Sequence, residues 1–376
     1  LSQRINTRLR AGGNASGVAF NFISGALDPR ITFTRASAAW YFNSAGNLTQ
    51  AATNEPRFDY DPTTLQARGL LIEGAGTNIA LHSRDFTQAD WVKTNITAAL
   101  NVTGIDGAAN TASRLTATAG NGTALQTITS ASATHVSSFY ARRITGTGTV
   151  EITQNNGATW TAITLTSAWK RFNVTAVTVT NPVIGFRLVT SGDVIAVDVA
   201  QCEVASVPTS PIITGATSVT RAADVASVTT LSPWFNANEG TILAEYQREF
   251  PLLNQFEVNF SNGTFNEFIG LYTNAVNQVA DVRQGATTQV SITLESGAGV
   301  NGRLNKKALA YRVNDFAASL NGAAAIVDNS GSIPTGLNIM RIGTFLGSSQ
   351  FCGGWIRRIA YYPTRLPNAT LQGLTA

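Results

Sequence analysis

The sequence predicts an all-β protein built as tandem β-sandwiches, and three observations carry that expectation. First, apolar and polar residues alternate through β-branched runs at 150–154, 160–166, 172–179 and 194–200, the period of a strand with one buried face. Second, the pairs Asn156-Gly157, Ser191-Gly192 and Asn262-Gly263 stand where hairpins should turn, because tight turns need residues that tolerate positive φ. Third, helical periodicity is almost absent, and short strands spaced by turn signals are the pattern of sandwiches.

Taken in order, residues 1–75 read as an irregular N-terminal segment, an extended arm or small connecting domain. Asp28-Pro29, Glu55-Pro56 and Asp61-Pro62 interrupt every run there, and proline donates no backbone hydrogen bond to a sheet. Residues 76–215 carry the densest strand pattern and form the expected first sandwich, which ends at Pro208-Thr209-Ser210-Pro211. Residues 216–230 read as a linker, and 231–376 as the second sandwich. Its last strand places Trp355, Arg357, Ile359 and Tyr361 on one face and Ile356, Arg358, Ala360 and Tyr362 on the other. Pro363 stops that strand, and a short helix follows with Leu366, Leu371 and Leu374 spaced to cover an apolar patch.

Composition narrows the function. Charged residues are 13% of the chain, against about 25% in ordinary soluble domains. The net charge of +4 is dispersed, with no stripe of cations interleaved with aromatics, so no nucleic-acid partner is expected. No run is long and apolar enough to predict membrane insertion. Cys202 and Cys352 sit in strand-like apolar settings and read as small buried hydrophobes, although a disulfide between them stays open. Two Cys and two His make no zinc-type cluster. The first residue is Leu rather than Met, which suggests a processed or truncated piece.

Several longer phrases resemble a known family. Residues 34–37 read Thr-Arg-Ala-Ser, and Asn54 opens the run Asn-Glu-Pro-Arg-Phe-Asp-Tyr-Asp-Pro. Gly69-Leu70-Leu71-Ile72-Glu73 follows, then Ser83, Phe86 and Trp91 in a Ser-x-x-Phe-x-x-x-x-Trp turn. Later come Ala200-Gln201-Cys202-Glu203 and Thr220-Arg221-Ala222-Ala223-Asp224, a loose echo of residues 34–37. From residue 31 to its end the chain resembles fibre and spike proteins of tailed-bacteriophage virions. The resemblance implies a carbohydrate-module-like jelly roll followed by a concanavalin-like (laminin-G-like) sandwich, commonly as a homotrimer. It implies assembly in bacterial cytoplasm, display on the virion surface, and adhesion to bacterial surface polysaccharide alongside other virion proteins. A purely structural head or tail decoration protein and a polysaccharide depolymerase are the alternatives.

The residues favour binding over catalysis. Sugar recognition needs an aromatic face beside amide or carboxylate hydrogen bonders. Trp160 after Asn155 and Asn156, and Tyr272 with Asn274 and Asn277, supply that pairing, and Trp160, Asn155, Asn156, Tyr272 and Asn274 are the expected carbohydrate-binding residues. Trp40-Tyr41, and Trp234 with Asn236 and Asn238, show it too but read rather as packed rings, and Trp91, Trp169 and Trp355 as core. Retaining glycosidases need two carboxylates about 5–5.5 Å apart. Glu245 and Glu249 have i, i+4 spacing but lack an intervening aspartate, so no enzyme is expected. Asp193 and Asp198 are oddly spaced and face opposite ways. His82 beside Ser83 and Asp85 is too local for a triad, and His135 has no acidic neighbour. No cofactor is expected beyond a structural calcium, for which Asn78, Asp198 and Glu203 are the candidate oxygen ligands.

Overall fold

The alternating runs fold as antiparallel strands in a computed structural model that describes residues 17–249, 254–274, 277–297 and 302–376. The chain forms two units: residues 1–36, 53–74 and 223–376 make unit 1, and 37–52 with 75–222 make unit 2.

Early strands feed both. β1 (Val18–Asn21) and β2 (Thr32–Thr34) join unit 1, the hairpin β3 (Ala39–Phe42) and β4 (Leu48–Ala51) joins unit 2, and β5 (Phe58–Tyr60) with β6 (Ala67–Ile72) returns to unit 1. Unit 2 continues with β7 (Gly76–Asn78), β8 (Val92–Thr94), β9 (Ile96–Val102), β10 (Ala112–Ala117), β11 (Gly122–Thr127) and β12 (Ala133–Thr145). It is completed by β13 (Val150–Thr153), β14 (Thr161–Ile163), β15 (Lys170–Asn173), β16 (Val177–Val179), β17 (Val183–Leu188), β18 (Val194–Glu203) and β19 (Val219–Arg221). Unit 1 resumes with β20 (Val225–Val228), β21 (Glu239–Arg248), β22 (Gln255–Ser261), β23 (Phe268–Asn274), β24 (Asn277–Gln284) and β25 (Thr287–Ser296). Then come β26 (Leu304–Arg312), β27 (Phe316–Leu320), β28 (Ile326–Asp328), β29 (Ile339–Ile342), β30 (Gly354–Tyr362) and the helix α1 (Asn368–Thr375).

The expected arm at 1–75 is therefore corrected: from Val18 onward it is woven into the sheets, and its first sixteen residues lie outside the described ones. Its strands are short enough to fit between the prolines: β3 pairs with β4 and β5 with β6 locally, while β1, β2 and β6 pair with partners more than a hundred residues away. The expected linker at 216–230 is likewise β19, paired with β7, and β20, paired with β2 and β29.

In unit 1, one sheet runs β28-β27-β26-β21-β30-β6-β5, with β1 also on β30; the other runs β2-β20-β29-β22-β23-β24-β25. Ile242, Leu309, Ile356 and Ile359 from the first meet Val258, Phe260, Leu271 and Met340 from the second in one apolar core. Buried aliphatic and aromatic side chains of this size contribute about 1.5–3 kcal/mol each. The faces expected for β30 are corrected by a bulge. Glu245 pairs with Arg358 and Tyr246 with Ile356, so Arg357 is the extra residue and the alternation flips there. Ile356, Ile359 and Tyr361 consequently share the core, while Ala360 faces the other side. On that side Leu371, with Leu366 and Leu374, covers Leu243, Ala308 and Ala310, as the helix spacing predicted.

In unit 2, the sheet β15-β12-β18-β10-β9, with β16 on β12, faces the sheet β14-β13-β17-β11-β8. Between them Phe86 stacks on Trp91 at 3.9 Å and Phe139 meets Phe186 edge-on at 4.8 Å. On the outer side of the first sheet, Phe42 and Leu48 of the β3–β4 hairpin pack with Tyr140 and Val199. Cys202 and Cys352 are both buried and free, one in each unit.

Candidate functional site

Register builds the site in unit 1. A single transverse row crosses the outer face of the seven-stranded sheet: Ser227, Arg341, Asn259, Gly270, Asp281 and Ser291, each paired with the next. Their chain neighbours Ile342, Val258, Ile269, Leu271, Ala280 and Val282 face the core, so alternation sends this polar row outward. Gly270 in its middle carries no side chain, and a Cβ there would stand 3.1 Å from Phe256 and 3.4 Å from Phe268. Phe256, Phe268 and Phe345 thus form an aromatic block beside the row, with Phe265 38% exposed at its rim.

Tyr272, two residues from Gly270 on the same face, is half-buried and stacks on Phe256 at 4.8 Å and 18°. Asn274 is two residues further along that face and pairs with Asn277, which places the expected ring and amide on one strand face. What it missed is Asp281. Only 7% exposed, Asp281 has an Oδ1 with no hydrogen-bond partner among the described residues. Burial pushes its carboxyl up to about 6, an effect opposed by Ser291, the Arg283 charge and Tyr272. Burial and the Asp281 charge push the Tyr272 hydroxyl up to about 12. Arg283, two residues from Asp281 on the same face, holds its guanidinium 5.1 Å from the centre of the Phe265 ring. Rings, a carboxylate and a guanidinium on one surface can pack against a pyranose and bond its hydroxyls. The usable signal was the acid–base pair at i, i+2 in the polar half of Asn277–Gln284.

The second predicted constellation lies in unit 2. Asn156 and Gly157 take φ values of 58° and 74°, which gives the tight turn after β13. Trp160 is half-buried there: a Cβ on Gly157 would lie 2.8 Å from its ring, and the Arg187 guanidinium is 4.5 Å from its centre. Arg187 is also ion-paired with Glu151 across β17 and β13. Asn155 turns inward instead, accepting from the Thr159 N–H at 2.9 Å and from the Thr153 hydroxyl at 3.0 Å. It braces the loop, while Asn156 is exposed.

Trp40 packs with the Phe42–Tyr140 cluster, and Trp234 is buried among Phe20, Phe260 and Tyr361, both as expected of packed rings. Trp169, expected in the core, is half-buried: it packs against the Phe42–Tyr140 cluster and against Val102, Ala112 and Ala196, with the Arg142 guanidinium 5.1 Å from its ring centre. The calcium candidates hold protein partners. Asn78 Oδ1 accepts from Ala80 and Cys202, and Glu203 accepts from the Thr209 amide and hydroxyl. Asp198 is forked by Arg84 at 2.7 and 2.9 Å. Glu245 is ion-paired with Arg358 at 3.3 Å, and Glu249 lies beyond the end of β21. His82 approaches Asp90 at 3.3 Å, and buried His135 bonds Ser130 and the Ala133 carbonyl.

No protein-family model matches the chain, and no curated protein does. Among solved structures it is similar to the CBM40 of the Ruminococcus gnavus IT-sialidase, at 20% identity over 38% of this chain and 84% of that one, with a TM-score of 0.33. The tandem CBM22-1-CBM22-2 domains of Paenibacillus barcinonensis Xyn10C are similar at 12% identity over 77% and 97%, TM-score 0.28. Mouse laminin alpha1 domains LG4-5 are similar at 8% identity over 77% and 88%, TM-score 0.27.

Proposed function

We propose that this chain is a non-catalytic glycan-binding protein, displayed as a homotrimer on the surface of a bacteriophage virion and adhering to bacterial surface polysaccharide. The observation that carries the binding reading is the buried Asp281 carboxylate, which Ser291 and Tyr272 approach without giving its Oδ1 a well-formed hydrogen bond, set beside Tyr272, Arg283 and Phe265 on one outward sheet face. A buried acceptor of this kind costs about 1–3 kcal/mol while unpaired, so a sugar hydroxyl that donates to it regains that energy. The phage setting is supported by the order of the resembling phrases from residue 31 onward. Three copies would convert weak sites into avid attachment.

Glycan arrays test this with the full chain. Binding to at least one bacterial polysaccharide is expected, with Tyr272→Ala weakening it by about tenfold or more, the loss of a stacking ring and its hydroxyl. Affinity should also fall as pH drops through about 6, because Asp281 ionises above that value and is protonated below it. An array without signal, or a Tyr272→Ala variant that binds like wild type, removes the reading and favours a decoration role. New reducing ends on a bound polysaccharide would make the protein a depolymerase.

A further inference from the structure

A second surface, in unit 2, points to the chemistry of the glycan. Across the outer face of the six-stranded sheet, Ala99, Arg114, Ala196 and Arg142 form one cross-strand row on β9, β10, β18 and β12. Their neighbours Leu115, Ile195, Val197 and Ala141 are buried in the sandwich core, so both arginines face outward. Arg114 is exposed and Arg142 half-buried. Arg142 lies over Trp169, the half-buried residue that leads into β15.

Three other arginines of this unit have carboxylate partners. Arg84 is ion-paired with Asp106 and Asp198, Arg143 with Asp193, and Arg187 with Glu151. Neither Arg114 nor Arg142 has a carboxylate partner among the described residues. Two strand spacings separate them, about 10 Å at the backbone, a gap that two long side chains can close from either side over the short Ala196. A guanidinium is a planar fork that matches a carboxylate, and it stays charged at any physiological pH. An indole beside it can hold the apolar face of the sugar that carries the acid.

We propose that Arg114, Arg142 and Trp169 form a subsite for a carboxylate-bearing sugar, so that the polysaccharide bound is acidic. This rests on the glycan-binding reading above. The test is an array of acidic bacterial capsular polysaccharides, each beside its carboxyl-reduced form, probed with the full chain. Wild type should prefer acidic forms by about tenfold or more, the size of charge-assisted bonds to one carboxylate, and 0.5 M salt should shrink that preference. Arg114→Glu, at an exposed position away from the Trp169 stack, and the Arg114→Gln/Arg142→Gln pair should both abolish it. Tyr272→Ala should weaken binding but keep it. Equal binding of acidic and reduced forms, or a preference that survives both arginine variants, overturns the subsite and leaves glycan binding standing. Binding of neither form overturns both.

Discussion

Asp224→Ala should lower the stability of unit 1 by about 3–5 kcal/mol, because it removes the buried carboxylate that two buried guanidiniums share. Asp224 receives Arg35 at 3.1 Å and Arg57 at 2.6 Å, and Arg57 also reaches Glu73 at 2.9 Å. The side chains of Arg35, Arg57 and Asp224 are wholly inaccessible to solvent. Burial alone would lower the Arg57 pKa, but the Asp224 and Glu73 charges outweigh it and raise it. The backbone joins in, with Glu73 N–H on Asp224 Oδ2 and Asp224 N–H on the Glu73 carbonyl, each at 3.0 Å. Position explains the cluster. The chain leaves or re-enters unit 1 after residues 36, 52, 74 and 222, and Arg35, Arg57, Glu73 and Asp224 lie within five residues of those four passages. One carboxylate therefore ties together segments far apart in sequence. Calorimetry should show the unit 1 transition about 10 °C lower in Asp224→Ala, using the usual 2–4 °C per kcal/mol for a domain of this size. Asp28→Ala, which breaks the exposed Arg30 pair, should cost under about 1 kcal/mol. Equal shifts in the two variants would refute the clamp.

That cluster marks the boundary of what sequence patterning could reveal. The loose echo between residues 34–37 and 220–224 has a spatial side that no pattern along the chain shows: Thr34 pairs with Val225 and Arg35 bonds Asp224 because β2 and β20 lie antiparallel. Local rules worked where the cause was local: the Asn156-Gly157 turn, the end of β30 at Pro363, the leucines of α1, and Tyr272 with Asn274 on one strand face. They failed where the cause was a distant partner. The three- to six-residue strands between Asp28-Pro29 and Glu73 carry too short a pattern to register, and the inversion of β30 at Arg357 comes from a bulge against β21. Asp281 stood in plain view within an alternating run, but only cross-strand register sets it beside Gly270 and the aromatic block.

A bulge also explains the strongest departure from an apolar interior, and it yields the second large effect. Between Phe256 and Val258 the register of β22 shifts, leaving Glu257 as an extra residue and fully buried. Lys307 of β26, equally buried, meets it at 3.1 Å and bonds the Tyr272 carbonyl at 2.7 Å, while Thr273 donates to Glu257 at 2.9 Å. Lys307→Met should cost about 3–5 kcal/mol, because it leaves the Glu257 carboxylate buried without its cation. Lys307→Met combined with Glu257→Gln should return to within about 1 kcal/mol of wild type, since the two neutral replacements remove the desolvation costs of both charges. Burial, only partly offset by Glu257, lowers the Lys307 pKa from 10.5 to about 8. Between those values the unfolded chain holds the proton that the folded chain has released, so wild-type stability gains from this group as pH rises through 8 and loses it again as pH falls. The slope approaches 1.4 kcal/mol per pH unit for one proton. Cys202 and Cys352, raised by burial from 9.0 to about 12, act in the opposite sense above pH 9. The clean window is therefore pH 8 to 9, where urea unfolding should show wild type gaining stability and the double variant flat. A single variant as stable as the double, or parallel pH profiles, would mean that the bulge buries an ion pair of no energetic consequence.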